Sequence, residues 1–220
     1  MADTMELEIF RYQPEKQSEP SFQTYEVPFH EDWVVLDAIN HIKDEIDGTL
    51  SYRWSCQMGV CGSCGIMVND VPKLSCAVFL KDYYPKKIRV EPLTGFPVER
   101  DLIFEMDDFM TKLTEMQPYI VRKEGEEKPL EEGEYIQSPA ELAHFKQYSM
   151  CINCMLCYAA CPVYALDSTF IGPAAIPLAR GTIWTPGTKA EMPGRKSSLV
   201  TMESGNALLW ESVALYVLNK

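Results

Sequence analysis

Cysteine is the residue type in this 220-residue chain whose spacing points most directly to chemistry, and all eight cysteines fall into two groups. The first group, spaced C-x4-C-x2-C-x11-C, is Cys56, Cys61, Cys64 and Cys76. The second, spaced C-x2-C-x2-C-x3-C and followed by proline, is Cys151, Cys154, Cys157 and Cys161. Thiolates are soft ligands that suit iron–sulfur clusters, zinc and Cu(I). The spacing therefore predicts metal centres.

The two spacings indicate different iron–sulfur clusters. The first matches the opening of a plant-type [2Fe–2S] site, and its four thiols complete that site. The second is the run in which three cysteines hold a [4Fe–4S] cubane and the fourth ligates another cluster. Cys151, Cys154 and Cys157 then need a fourth ligand from elsewhere, and Cys161 needs partners. No cysteine remains in the chain to supply them.

Zinc and disulfides are the alternatives for these cysteines. Structural zinc sites usually pair two separated Cys-x2–4-Cys hooks, which four cysteines within eleven residues do not form. Residues 1–10 show no secretory signal, so reduced ligands are favoured over disulfide bridges. The net charge of −12 argues against a nucleic-acid partner, because binding phosphates requires a basic surface.

The elements that must position the first cysteine group follow a strand and helix pattern. Residues 5–12 and 22–29 alternate apolar and polar side chains around a polar turn, which predicts two paired strands. A helix is predicted to begin at Asp32, acting as its cap. Residues 65–80 predict a hairpin that turns at Asn69-Asp70, and residues 86–93 predict a further strand. This order predicts a small mixed sheet with the cysteine loop at one edge.

From residue 101 the hydrophobic period becomes helical. We predict an amphipathic helix over residues 101–118, a second helix opened by Ser138-Pro139 that leads into the second cysteine group, and a third over 170–179. Residues 181–220 hold no cysteine and show no clear period, so they do not continue the same domain.

At SYRWSCQMGVCGSCGIMVNDVPKLSC and SMCINCMLCYAACP, the chain resembles the iron–sulfur subunit of fumarate reductase and succinate dehydrogenase. The resemblance extends over about residues 5–180 and includes the roughly 75-residue gap between the motifs. It implies an α+β fold, with an N-terminal ferredoxin-like β-grasp domain over 1–105 and a truncated α-helical ferredoxin domain over 106–180. The sequence 163–166, Val-Tyr-Ala-Leu, favours fumarate reductase, because succinate dehydrogenases usually have Ser and paired Trp there.

The resemblance also implies cofactors, partners and location. It assigns [2Fe–2S] to the first cysteine group, and [4Fe–4S] and [3Fe–4S] to the second domain, with Cys161 on the [3Fe–4S] cluster. Electrons would pass between an FAD-containing flavoprotein subunit and quinone at membrane-anchor subunits. The chain would then be an enzyme subunit without a catalytic acid or base, bound peripherally at the cytoplasmic face of the inner membrane.

The family pattern requires a late C-x5-C-x3-C-P segment that this chain lacks. Read from the third base of the Gly181 codon, the next codons can encode Tyr-Asn-Leu-Asp-Pro, as in the family. The same offset over residues 202–219 permits GVW-x-C-x5-C-x3-C-P-K. The choice of cysteine at the ambiguous codons is taken from the family, whereas the spacing comes from this sequence. We therefore interpret 181–220 as an aberrant tail after a frame change near Arg180. The rival interpretation is a genuine divergent tail.

The sequence is also compatible with two alternatives to a subunit of a quinone-linked enzyme. The chain could be a freestanding ferredoxin-like carrier, or a non-functional product of a frameshifted gene. The length of the chain and the ligand Cys161 favour a subunit of a quinone-linked enzyme, and co-purification with a flavin-bearing subunit separates it from a freestanding carrier.

Overall fold

The computed structural model describes residues 3–120, 122, 128–167 and 169–185. The strands are β1 (Thr4–Arg11), β2 (Ser21–Pro28), β3 (Gly65–Val68), β4 (Val71–Leu74), β5 (Ile88–Glu91), β6 (Val98–Arg100) and β7 (Ile103–Phe104). The helices are α1 (Val35–His41), α2 (Asp107–Glu115), α3 (Pro139–Phe145), α4 (Leu156–Ala159), α5 (Pro162–Leu166) and α6 (Ala175–Trp184). Most of the tail, residues 186–220, therefore lies outside the described part.

Five strands form one mixed sheet in the order β2-β1-β5-β3-β4. β1 is antiparallel to β2 and parallel to β5, while β3 is antiparallel to both β5 and β4. Alternate residues of β1 (Met5, Leu7 and Ile9) are buried, as the period-two pattern predicts. The predicted mixed sheet and its paired first strands are confirmed.

Helix α1 contributes its apolar face to the core that lies against this sheet. Val35, Ala38 and Ile39 are buried in the same cluster as the inward residues of β1 and β5. The predicted cap at Asp32 is wrong. Instead the Asp37 carboxylate accepts a hydrogen bond of 2.9 Å from the Val34 N–H, at the end of the helix where unpaired N–H groups favour negative charge.

The predicted helix over residues 101–118 begins later than its hydrophobic pattern suggests. Ile103 and Phe104 form β7, which pairs antiparallel with β6, and α2 starts only at Asp107. Phe104 is buried against the ring of Phe96, with 5.0 Å between their centroids. Tertiary packing therefore overrides a short local helical period.

A buried ion pair joins two residues that lie 90 positions apart in the sequence, Arg11 and Asp101. The Arg11 Nε donates to Asp101 Oδ1 at 3.0 Å, and the side chain of Asp101 is fully buried. The backbone N–H groups of Tyr12 and Ser51 also donate to this carboxylate, each at 2.9 Å. Asp101 is thus hydrogen-bonded on both oxygens, as a buried charge must be.

The other side of Arg11 faces Asp47 and Tyr25. The guanidinium donates to both, and the Tyr25 hydroxyl donates to Asp47 at 2.8 Å. Burial alone would raise the pKa of Asp47, but hydrogen bonds from Thr49, Tyr25 and Arg11 hold it well below its usual value. Burial, together with Asp47, raises the pKa of Tyr25 to about 12. Asp47 is therefore ionised and Tyr25 protonated at neutral pH.

Over the described residues, the contacts divide the chain into two compact units, one within 1–106 and 152–165 and one within 107–151 and 166–185. In the second unit α3 packs against α6, and Met116 is buried with Ala175 and Ala179. Ser138 caps α3 as predicted, with a hydrogen bond from the Glu141 N–H. The third predicted helix, over 170–179, is displaced: α6 starts at Ala175 and runs to Trp184.

The first unit is larger than residues 1–105 alone, because the segment 152–165 packs with it. The division into functional domains 1–105, 106–180 and 181–220 stays a prediction. Over the residues described, no helix has the length and apolar character needed to cross a membrane.

Candidate iron–sulfur centres

The β3–β4 hairpin brings two cysteines of the first group together. Its turn at Asn69-Asp70 uses two positive φ angles, 47° and 64°, as predicted for a tight two-residue hairpin. The register pairs Gly65 with Leu74, so the preceding Cys64 and the following Cys76 lie at the same end. Their sulfur atoms are 3.2 Å apart, and both residues are buried beside Leu36.

The loop that carries Cys56 and Cys61 curls around the sulfur atom of Cys56. The backbone N–H groups of Met58, Val60 and Cys61 donate to Cys56 Sγ at 3.4, 3.4 and 3.3 Å. The curl requires a positive φ of 58° at Gln57 and of 71° at Gly59. Backbone N–H groups directed at sulfur stabilise a thiolate and are among the features that tune iron–sulfur potentials.

The pKa values of two thiols of the first group move in opposite directions. Hydrogen bonds with the backbone at Cys56 and with Ser63 lower the pKa of the exposed Cys61 to about 6. Burial, with the neighbouring Cys64 thiol, raises the pKa of Cys76 to about 11. Cys61 therefore ionises more readily than Cys76, and a thiol that is still protonated must lose its proton when it binds a metal.

These features fit a [2Fe–2S] centre. The donor set is four thiols, N–H groups point at Cys56 Sγ, and apolar side chains surround Cys64 and Cys76. In the described part of the chain, no three or more His, Cys, Asp or Glu side chains lie close enough together to hold a single metal ion, whereas a [2Fe–2S] cluster divides its four thiols between two irons. The predicted ligands Cys56, Cys61, Cys64 and Cys76 would hold the cluster, which supplies one-electron transfer when bound.

The second cysteine group is divided between the two units. Cys154, Cys157 and Cys161 belong to the first unit, and Cys151 belongs to the second. Cys161 is buried, whereas the other three are half-buried. Asn153 and Met155 flank Cys154 with positive φ angles of 54° and 60°, a conformation that non-glycine residues rarely adopt. Backbone strain of this kind clusters at functional sites.

The first cysteine loop contains three glycines, Gly59, Gly62 and Gly65, and glycine permits both a positive φ angle and the close approach of another backbone. Gly59 and Gly62 do have positive φ angles of 71° and 75°, but Gly65 has none. Gly62 and Gly65 instead lie directly against Cys154 of the second group. This contact joins residues about 90 positions apart, so no local spacing could have revealed it.

The remaining polar side chains that the sequence singles out contact aromatic rings. His30 and His41 both lie next to the Trp33 ring, at 4.6 and 5.7 Å between centroids. Arg53 is half-buried over the Phe104 ring, with 4.7 Å between its guanidinium carbon and the centroid.

Two family models match the chain in these regions. A model described as "2Fe-2S iron-sulfur cluster binding domain" matches residues 6–111, and one described as "4Fe-4S binding domain" matches residues 145–167. The first range contains the whole first cysteine group, and the second contains the whole second group. A [2Fe–2S] domain and a [4Fe–4S] domain are therefore present.

Relatives and solved structures agree with these matches. The fumarate reductase iron-sulfur subunit of Mycobacterium tuberculosis is 59% identical over 178 residues, which are 81% of this chain and 71% of the relative. The fumarate reductase iron-sulfur subunit of Escherichia coli O157:H7 is 49% identical over 80% of this chain and 70% of its own. The succinate dehydrogenase iron-sulfur subunit of Coxiella burnetii is 34% identical over 78% and 72%.

A solved chain entitled "Mycobacterium smegmatis Sdh1 complex in the apo form" shares the fold, with a TM-score of 0.77. It is 24% identical, and the match covers 87% of this chain and 79% of that one. The α+β fold predicted from the sequence is thus confirmed. Because both cluster-binding regions match and the relatives are up to 59% identical over about 70% of their length, the chain belongs to the iron–sulfur subunit family of fumarate reductase and succinate dehydrogenase.

Proposed function

We propose that this chain relays electrons between an FAD-containing flavoprotein subunit and quinone at membrane-anchor subunits. The observation that carries the proposal is the junction of two cysteine segments in one unit, where Gly62 and Gly65 meet Cys154. A relay requires neighbouring redox sites, and the fold brings the two candidate segments into contact. The chain itself contributes no catalytic acid or base in this proposal.

Cys56, Cys61, Cys64 and Cys76 are proposed as the [2Fe–2S] ligands. Cys151, Cys154 and Cys157 are proposed as ligands of [4Fe–4S], and Cys161 as a ligand of [3Fe–4S], with both of these clusters incomplete in the chain as written. The chain has eight thiols, and a [2Fe–2S] and a [4Fe–4S] cluster with four thiols each would use all of them, so a third cluster cannot be completed. The proposed location is the cytoplasmic face of the inner membrane, reached through partner subunits.

Replacing Cys61 with alanine is expected to abolish the [2Fe–2S] absorption and EPR signals of the chain reconstituted with iron and sulfide. The site then keeps three of its four thiols, and the lost one is the readily ionised thiol. The matched control is Cys157→Ala, which removes a thiol of the second group and should leave the [2Fe–2S] signals in place. An unchanged spectrum in Cys61→Ala would rule out the ligand assignment.

The flavoprotein partner is proposed to dock on the exposed apolar side chains around the first loop, here called the loop rim. The loop rim consists of Trp54, Met58 and Val60, which are 46%, 73% and 61% exposed. Exposed apolar side chains grouped on a surface mark interaction sites, and these three lie on or next to the loop that carries Cys56 and Cys61.

Met58→Asp is expected to weaken co-purification of the flavin-bearing subunit by at least about tenfold, because it places a charge in an apolar contact. The Met58 N–H that donates to Cys56 Sγ is unchanged, so the [2Fe–2S] absorption should persist. The control Ile136→Asp alters a side chain that is 88% exposed in the other unit. Equal flavin recovery from both variants would contradict docking at the loop rim, and no flavin with the unmodified chain would favour a freestanding carrier.

A further inference from the structure

Two glycines of the first cysteine loop lie where no larger residue fits. A Cβ atom on Gly62 would lie 2.6 Å from the Ile152 carbonyl oxygen and 2.9 Å from the Cys154 Cα. A Cβ atom on Gly65 would lie 2.9 Å from the Cys154 carbonyl oxygen. Real Cβ atoms essentially never come within 3.0 Å of such atoms, and the opposing atoms are backbone. No rotamer change can relieve these contacts, so the two backbones must separate if a side chain is added.

Further contacts within the first unit hold the segment that meets these glycines. The Thr94 hydroxyl donates to the Ala159 carbonyl at 3.2 Å. The Tyr158 side chain is buried, and its ring stands edge-on to that of Tyr164 at 4.7 Å. The Tyr164 ring in turn packs against Phe96 at 5.5 Å. These contacts hold 156–164 in place, so the backbone near Cys154 has little freedom to withdraw.

We propose that Gly62 and Gly65 are positioning residues that set the separation of the two cluster-binding segments by admitting the backbone of Cys154. The inference rests on the proposed function, in which both segments bind clusters. It assigns a role to Gly62 and Gly65, which are not themselves cluster ligands. Gly62 lies between Cys61 and Cys64, and Cys154 lies between Cys151 and Cys157. One backbone contact therefore fixes a proposed ligand of the second cluster against the loop of the first.

The contact should also shield the first centre from water. Gly62 itself is buried although its neighbour Cys61 is exposed, which places the Cys154 segment over one side of the loop. Solvent exposure is one of the factors that set iron–sulfur potentials. Reduction adds a negative charge, and water stabilises that charge better than protein does. Withdrawal of the segment should therefore raise the midpoint potential of the [2Fe–2S] centre.

The test compares Gly62→Ala with Gly59→Ala in the full chain. Both glycines have nearly the same positive φ, 75° and 71°, so alanine meets similar backbone strain at each. At Gly59, however, an added Cβ would meet nothing within 4 Å. The difference between the two variants therefore isolates the contact with Ile152 and Cys154.

Hydrogen exchange is measured for the amides of residues 152–159, with and without bound iron and sulfide. We expect exchange about tenfold faster in Gly62→Ala than in Gly59→Ala, because overpacking opens the contact. In the loaded protein, the midpoint potential of the [2Fe–2S] centre should be higher in Gly62→Ala. This second readout would not move if Gly62 served only the stability of its own loop.

If Gly62→Ala fails to fold, Gly65→Ala takes its place, since Gly65 meets Cys154 without a positive φ. Amide exchange at residues 152–159 that is faster in Gly65→Ala than in Gly59→Ala supports the proposal, and equal exchange in these two variants would contradict it. Equal exchange at 152–159 in Gly62→Ala and Gly59→Ala would overturn it. Exchange without metal reports on the contact whether or not clusters form, so its result is separate from that of the Cys61→Ala experiment.

Discussion

Asp101→Ala is expected to lower the free energy of unfolding by about 3–5 kcal/mol, the usual cost of breaking a buried ion pair from one side. The variant removes the fully buried carboxylate of Asp101, so the Nε atom of the buried Arg11 loses its hydrogen-bond acceptor. It also strands the backbone N–H groups of Tyr12 and Ser51. Urea unfolding of the full chain, followed by tryptophan fluorescence, measures the change.

Two controls separate the ion pair from other effects at this position. Asp101 has a positive φ of 45°, which asparagine tolerates better than alanine, so Asp101→Asn isolates the lost charge. It should cost less than alanine because its amide oxygen still accepts a hydrogen bond. Glu8→Ala removes the partly exposed pair with Lys87 and should cost under about 1 kcal/mol. If Asp101→Ala matched Glu8→Ala, the buried pair would not be a main source of stability.

Restoring the alternative reading frame after Arg180 is expected to produce a [3Fe–4S] EPR signal that the 220-residue chain lacks. The chain as given has eight thiols, of which seven are assigned to the first two clusters and only Cys161 remains. One thiol cannot hold a cluster. Iron content and EPR of the oxidised protein, compared between the two reading frames, measure the gain.

The matched control is Cys161→Ala in the restored frame, which should remove the new signal and leave the [2Fe–2S] signal. Cluster binding contributes folding energy, so the restored chain should also resist unfolding better in its second unit. A full set of three clusters in the chain as given would show that its tail supplies ligands, and the frame change would then be wrong.

Local patterns predicted the elements that place the first cysteine group. Asn69-Asp70 defined the hairpin that joins Cys64 to Cys76, and the alternation of β1 defined the buried face of the sheet. The register of β3 and β4 then follows from a two-residue turn. This part of the site depends on residues near one another in sequence, so local sequence patterns are enough to predict it.

Contacts between distant residues were not predictable in the same way. Arg11 and Asp101 are 90 positions apart, and the Gly62–Cys154 contact is similarly remote. Ile103 and Phe104 carry a helical period but join β6, because burial beside Phe96 outweighs local preference. Such contacts depend on the whole fold and leave no spacing in the sequence.

If these cysteines bind iron–sulfur clusters for electron transfer, the clusters must form on the chain and change oxidation state. Both properties are measured by EPR and metal analysis of the full chain, reconstituted with iron and sulfide and then reduced by one electron per [2Fe–2S] centre. We expect a [2Fe–2S] signal equivalent to one centre per chain, which appears on reduction and disappears on reoxidation. Stoichiometric zinc without any reducible iron–sulfur signal would contradict it.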